Sequence, residues 1–406
     1  MNKGDPIMTY TEITPVNTTI SAIDMRGNAV ASFVPFSVRG PQFIELKDKT
    51  ILYFFDAKYN SQADEEPSCK VMLRSHDGGE TWGEARVLTH EGIGFSINGL
   101  PIYDEIHDTL VYFGRSRHWK PEFVQDRLVT EHDQTLGHVD ERFWVAKSTD
   151  GGLSWTDYKE VFLDAPATWS VQHCPSPLSG MQLKNQKDPS KNGRLIAPAN
   201  QIIKKKDGSN GFGCHLLVSD DFGDTWHMGA VMDYEGGNEC TAIELCDGTL
   251  LLNSRTHGAI PANIRLQSFS YDGGDTFAEN GPVETLFDPC CSAGFTSAVV
   301  DGHEYIFFTV PSGELDEPWE FLGATMRWGK REALMLHMSA DGGRTYRPIK
   351  QLSPKGEFAG YSALIATSGG KLLCAWEADP GKWEDQYRVI KYTRLDLEEL
   401  VKGITN

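Results

Sequence analysis

Ser75-His76-Asp77-Gly78-Gly79-Glu80-Thr81-Trp82 decides how the rest of the chain is read. The same eight-residue unit returns at 148–155 (STDGGLSW), 219–226 (SDDFGDTW), 270–277 (SYDGGDTF) and 339–346 (SADGGRTY). The starts at 75, 148, 219, 270 and 339 are 73, 71, 51 and 69 residues apart. Such self-similarity marks a repeat architecture. In each copy the Asp side chain can accept hydrogen bonds from its own turn, and the glycines can take positive φ. The closing aromatic can plug the hairpin. An alternating apolar stretch precedes every copy (VMLR, FWVAK, CHLLV, RLQSF, LMLHM), which predicts strand, tight turn, strand. These residues read as structural.

The chain has 406 residues, 40 glycines and 20 prolines, and one sixth of its length is about 68 residues, close to the repeat spacing. An all-β, six-bladed β-propeller in a single domain over 1–406 is the expectation, with the first ~30 residues extended and the C-terminal strand around Tyr387–Tyr392 helping to close the ring. A net charge of −19 disfavours a nucleic-acid partner. It leaves room for an anionic substrate held by a local arginine cluster. The eight cysteines have no metal-type spacing, and Cys290-Cys291 is an adjacent pair, so mostly free, buried thiols and no metal site are expected. The opening MNKGDPIMTYTEITP lacks the apolar core of a signal peptide, and no run is long enough to span a membrane. The localisation expected is cytoplasmic or leaderless. No cofactor motif appears: there is no G-x-S-x-G, H-E-x-x-H, P-loop or dinucleotide fingerprint.

Read as Asp boxes, the five units resemble those of the sialidase (neuraminidase) family, and further motifs between them carry the same resemblance. Val38-Arg39-Gly40-Pro41 resembles its Phe-Arg-Ile-Pro motif, with Gly40 where Ile stands. Phe55-Asp56-Ala57-Lys58-Tyr59 is similar to Glu-Ala-Arg-Tyr, with Lys58 in place of a supporting arginine. Asn98-Gly99 stands where the family often has Asp. Asn238-Glu239-Cys240-Thr241-Ala242-Ile243-Glu244-Leu245 and Leu251-Leu252-Asn253-Ser254-Arg255 match its Asn-Glu-x-x-hydrophobic-x-Glu-Leu and Leu-Leu-x-Asn-x-Arg segments. Arg331 leads the strand into the last box, and Tyr361-Ser362-Ala363-Leu364 followed by Trp376-Glu377 matches Tyr-Ser-x-Leu and Tyr-Glu.

The resemblance implies that Arg39, Arg255 and Arg331 clamp a substrate carboxylate, with Arg327 as the rival for the third position. Tyr361 would be the nucleophile and Glu239 its base, with Glu244 structural. Asp64 would be the acid/base, its rivals being Glu65 and Glu66. Lys58 and Asn98 would line the substrate pocket. A neutral phenol suits this task, because a carboxylate nucleophile would meet repulsion from the substrate's own carboxylate. The activity implied is that of a retaining exo-α-sialidase acting on sialylated glycans or a small acidic sugar. Two alternatives stand beside it. One is the same fold hydrolysing another ulosonic acid such as Kdn; the other is a non-catalytic glycan-binding propeller. Transglycosylation would need acceptor-site aromatics, for which Trp119, Trp328 and Phe321 are candidates.

Overall fold

A computed structural model describes residues 11–12, 22–23, 33–62, 68–88, 97–118, 140–257, 263–315, 317, 319–321, 324–326, 328–379 and 386–405. Within them, six sheets of four or five strands form a six-bladed β-propeller. The innermost strands are Ser37–Glu45, Ile97–Asp104, Gly237–Glu244, Gly294–Val300 and Ala359–Ala366 in blades 1, 2, 4, 5 and 6. In blade 3, Trp169–Pro175 and Met181–Gln182 share the inner edge, both pairing with Leu195–Lys204.

Strands in a propeller are buried on both faces, because each blade is sandwiched between two others. Ile51–Lys58 in blade 1 illustrates how the two-residue period divides the work. Ile51, Tyr53 and Phe55 pack with Leu373, Ala375 and Tyr392 of blade 6. Leu52 and Phe54 pack with Leu110, Tyr112 and Ala146 of blade 2. A strand with both faces apolar therefore reads as a nearly continuous hydrophobic run. The last blade takes its outermost strand from the other end of the chain: Thr11–Glu12 lies antiparallel on Val389–Asp396, with Thr11 opposite Tyr392. A helix, Leu397–Thr405, follows that strand. Nothing described in it or elsewhere is a helix long and apolar enough to cross a membrane.

The five repeated units are the turns between the third and fourth strands of blades 1 to 5. Their internal bonding is the same in each. Ser75 Oγ donates to Asp77 Oδ1 at 2.7 Å, Gly79 N donates to Ser75 Oγ at 2.8 Å, and Thr81 closes the turn on the Asp77 carboxylate through its N–H and hydroxyl. Asp150, Asp221, Asp272 and Asp341 repeat the pattern. The fifth position has φ between 84° and 86° in all copies, and the fourth is left-handed as well. In the third unit, Phe222 takes that fourth position at φ 62°, where the others have glycine, and its ring packs against His107 at 3.9 Å. The units also clasp neighbouring blades: Arg74 donates to Gly151 O, Arg194 to Gly273 O and Gln267 to Gly343 O.

Antiparallel alternation fixes where these turns lie. Inner strands run away from one face of the propeller, second strands return to it and third strands leave it again. The boxes therefore sit at the face opposite the starts of the inner strands, where the candidate site is built.

Two outcomes follow from the boxes. A Cβ at Gly343 would meet Leu251 Cδ2 at 2.5 Å as well as a φ of 86°, whereas one at Gly342 would meet nothing within 4 Å. In urea unfolding, Gly342→Ala should cost about 1 kcal/mol from backbone strain alone, and Gly343→Ala about 1–3 kcal/mol more from overpacking. Equal costs would contradict this role for the fifth position. The box carboxylates are also all held below the usual aspartate range. For Asp77 the side-chain and backbone bonds from Thr81 are the main cause, and in the other four similar bonds outweigh the opposing effect of burial. A depressed folded-state pKa gives stability that is present above the unfolded value of 3.8 and lost as pH falls below it. The melting temperature should therefore drop steeply below about pH 4, and replacing Asp272 with Asn should flatten that drop.

Candidate active site

Arg39, Glu239 and Tyr361 are each the third residue of an innermost strand, in blades 1, 4 and 6. Because these strands start at one face, the three residues ring the axis at the same depth. The strand pairing is irregular at each of them, with register shifts at Arg39–Gln42, Gly237–Cys240 and Ala359–Ser362. Such bulges re-aim side chains; Gly40 and Gly360 adjoin Arg39 and Tyr361, and Gly237 stands two residues before Glu239. Gly40 has φ 60°, a conformation costly for a β-branched residue, which accounts for its standing where the related motif has Ile. Arg255 comes from the returning second strand of blade 4, Leu250–Thr256. Arg331 comes from just ahead of the third strand of blade 5, Leu334–Ser339.

Tyr361 is the centre. Its hydroxyl donates to Glu239 Oε1 at 2.7 Å and accepts from Arg255 Nη1 at 2.8 Å. The same Arg255 nitrogen lies 2.9 Å from Glu239 Oε2, and Arg255 Nε donates to Asn238 Oδ1 at 2.9 Å. The guanidinium carbons of Arg39, Arg255 and Arg331 lie 5.3, 5.9 and 5.2 Å from the Tyr361 ring centroid. Burial pushes the Tyr361 hydroxyl well above the usual phenol value; the charge of Glu239 adds to this and the three arginines oppose it. At neutral pH the group is a phenol, with a carboxylate aligned to take its proton.

Each arginine is held differently. Arg39 Nε donates to Glu377 Oε1 at 2.8 Å, and this fully buried carboxylate also accepts from Gly40 N at 2.9 Å and Tyr361 N at 3.0 Å. Arg255 is paired with Glu239. Arg331 meets only neutral oxygens among the described residues: its Nη2 donates to Cys290 O at 2.9 Å and its Nη1 to Tyr387 Oη at 3.1 Å. Among the described residues, Glu377 and Glu239 are paired with Arg39 and Arg255, and Arg331 has no described carboxylate beside it, in a protein that is acidic as a whole.

The remaining sequence candidates fall as follows. Lys58 is buried as the last residue of the returning strand of blade 1, at the same end as Arg39 and opposite Ser37. Asn98 is in the inner strand of blade 2, paired with Arg115. Asp64, Glu65, Glu66, Arg327 and Trp119 lie outside the described residues. Trp328 is exposed, with its ring centroid 5.8 Å from the Arg331 guanidinium. Phe321 is in a two-strand hairpin formed by Trp319–Phe321 and Ala324–Met326. Glu244 accepts from Lys184 N and Asn185 N, in keeping with a structural role.

Two residues escaped the sequence reading. Glu377 was seen only as part of a motif, and Tyr387 only as a strand residue. The thiols beside the site are poor rival nucleophiles, since burial pushes Cys290 up to about 11 and Cys291 to about 12. His257 is no general base at neutral pH either: burial, and then the charge of Arg255, bring it down to about 3.

The fold agrees with what the chain resembles. Residues 49–374 match the BNR repeat-like domain. A sialidase of Micromonospora viridifaciens is 28% identical over 368 residues, covering 88% of this chain and 51% of that protein. A sialidase of Paraclostridium sordellii is 24% identical over 282 residues, covering 67% of this chain and 66% of its own length. The chain therefore spans between half and two thirds of these relatives. Among solved structures, a Trypanosoma rangeli sialidase in complex with 2,3-difluoro-KDN superposes with a TM-score of 0.72 at 20% identity, covering 98% of this chain and 60% of that one, which is a likeness of fold. The chain belongs to the BNR repeat-like domain family, as a six-bladed propeller of the sialidase type.

The Glu377 carboxylate serves three donors from two blades, so Glu377→Gln should destabilise the fold by about 3 kcal/mol by removing a buried charge partner of the Arg39 guanidinium. Denaturant midpoints measure this. A change under about 1 kcal/mol would show that the carboxylate is not needed there.

Proposed function

We propose that the protein is a retaining exo-α-sialidase that hydrolyses terminal nonulosonic acids from glycoconjugates, with Tyr361 as nucleophile. The observation that carries this reading is the Tyr361 phenol, hydrogen-bonded to Glu239 and Arg255 and surrounded by three guanidiniums. A buried phenol aligned on a carboxylate is a nucleophile with its base attached. Converging guanidinium groups, with their fixed forks of donors, suit a sugar that carries a carboxylate on its anomeric carbon.

The chemistry is a double displacement. The substrate carboxylate lies among Arg39, Arg255 and Arg331, which sets the anomeric carbon over Tyr361 Oη. As that oxygen bonds to the anomeric carbon, its proton passes to Glu239 and the glycosidic C–O bond breaks. Asp64, taken from the family resemblance, gives its proton to the leaving oxygen. Water then attacks the same carbon and loses a proton to Asp64, while the bond to Tyr361 breaks and Glu239 returns the proton to the phenolate. Two inversions retain the anomeric configuration. Arg255, bonded to both Tyr361 and Glu239, stabilises the phenolate as it forms.

A second reading keeps this mechanism with a different sugar. Asn98 and Lys58 depart from the related motifs beside the substrate pocket, which favours testing the deaminated sugar alongside the N-acetylated and N-glycolylated ones. A glycan-binding module without catalysis would have no use for a phenol bonded to both a carboxylate and a guanidinium.

The test is release of 4-methylumbelliferone from a panel of these sialosides. Wild type should cleave at least one. Tyr361→Phe should lose about a thousandfold or more in kcat, and Glu239→Gln about 10²–10⁴-fold. No cleavage of any sugar by wild type would overturn the reading, and full activity in Tyr361→Phe would overturn the nucleophile.

A further inference from the structure

One side chain touches two of the three arginines and has no place in the mechanism above. Tyr387 stands two residues ahead of the strand Val389–Asp396 in blade 6. Its ring carries the Arg39 guanidinium at 4.0 Å from the centroid, and its hydroxyl accepts from Arg331 Nη1 at 3.1 Å. The first contact is a cation–π interaction, the second a charge-assisted hydrogen bond.

Its described neighbours hold this half-buried residue at several points. Tyr387 has φ 62°, a left-handed conformation that is costly for an aromatic residue. Its carbonyl accepts from Val38 N at 2.8 Å, one residue from Arg39, so it is stitched to the strand that bears the first arginine. Its ring lies nearly perpendicular to Phe358, with centroids 4.7 Å apart. Strain of this kind persists where the surrounding structure over-determines it, and it concentrates at functional sites. Cys290, whose carbonyl is the other described anchor of Arg331, is left-handed too, at φ 59°. Both anchors of that arginine are thus held in costly backbone conformations.

Arg331 is the arginine that no described carboxylate neutralises. Left to itself it would swing away from Arg39 and Arg255, whose charges repel it. Tyr387 prevents this without cancelling the charge, because a phenol oxygen orients a guanidinium while leaving it cationic. A carboxylate in the same place would fix Arg331 equally well but would fill the anion site.

We propose that Tyr387 is the positioning residue of the carboxylate clamp: its ring holds Arg39 and its hydroxyl holds Arg331, setting their spacing before substrate arrives. This rests on the reading of the site as one for a carboxylate sugar. The contact is made through the arginines, so it acts on binding in ground and transition states alike, raising KM rather than lowering kcat when lost.

The test measures inhibition by a 2,3-unsaturated nonulosonic acid and by its carboxamide, with KM and kcat on the fluorogenic substrate and a melting curve for each variant. Tyr387→Phe keeps the ring and loses the hydroxyl. It should weaken the acid about tenfold, leave the carboxamide within about twofold, and raise KM about tenfold with kcat within about twofold. Tyr387→Leu, which also removes the ring from Arg39, should weaken the acid further. In an Arg331→Lys background the hydroxyl has no guanidinium fork to orient, and Tyr387→Phe should add less than about twofold. This cycle reads the coupling even if the single variant melts early. Equal weakening of acid and carboxamide, an unchanged Ki for the acid, or a fall in kcat at constant KM would each overturn the proposal. A wild type that cleaves the substrate while Tyr387→Phe matches it in every constant overturns this inference alone. A wild type that binds neither inhibitor and cleaves nothing overturns the substrate reading, and this inference with it.

Discussion

The carboxylate of Glu377 is the contact on which the site depends. Fully buried near the end of the second strand of blade 6, it accepts from Arg39 Nε and Gly40 N of blade 1 and from Tyr361 N of its own blade. It spans the seam between blade 6 and blade 1. A buried charge is costly unless it is paired and fully hydrogen-bonded, and here three donors meet that requirement. The same bonds fix the backbone of the nucleophile candidate and the guanidinium of the first arginine relative to one another. Ring closure and site assembly are thereby one event, since neither blade alone can satisfy Glu377.

Around that seam, the propeller supplies position and the bulges supply aim. A regular inner strand would point alternate residues into the interfaces between blades. At Arg39, Glu239 and Tyr361 the pairing slips, each time within two residues of a glycine, and the side chains turn toward a common centre. The boxes do the opposite work at the other face, where self-contained turns with depressed carboxylates lock blade to blade. Five structural turns at one end and a set of irregular strand starts at the other divide stability from chemistry along the propeller axis.

The sequence made the fold legible because a box is a local object: its hydrogen bonds join residues no more than four apart, so eight residues carry the whole signal. Glu239, Arg255, Arg331 and Tyr361 were legible through motifs, and the structure brings them together around one phenol. What the sequence could not carry is whatever depends on contacts between residues far apart in the chain. Glu377 and Arg39 are 338 residues apart, and Tyr387 reaches Arg331 across 56. Tyr387 read as the start of an alternating strand, and nothing in its neighbours signals a left-handed turn. Gly40 reads in the sequence as a departure from a motif, and its positive φ explains it. Asp64, assigned by resemblance alone, lies outside the described residues and stays a proposal.

The central claim is that Tyr361 forms a covalent bond to the anomeric carbon of an acidic sugar. Incubation with a 2,3-difluoro nonulosonic acid, followed by intact-mass measurement and peptide mapping, tests it directly. One glycosyl adduct on the peptide containing Tyr361, absent in Tyr361→Phe, is the predicted result. An adduct on another residue, or no adduct in a protein that turns over the matching sialoside, would contradict it.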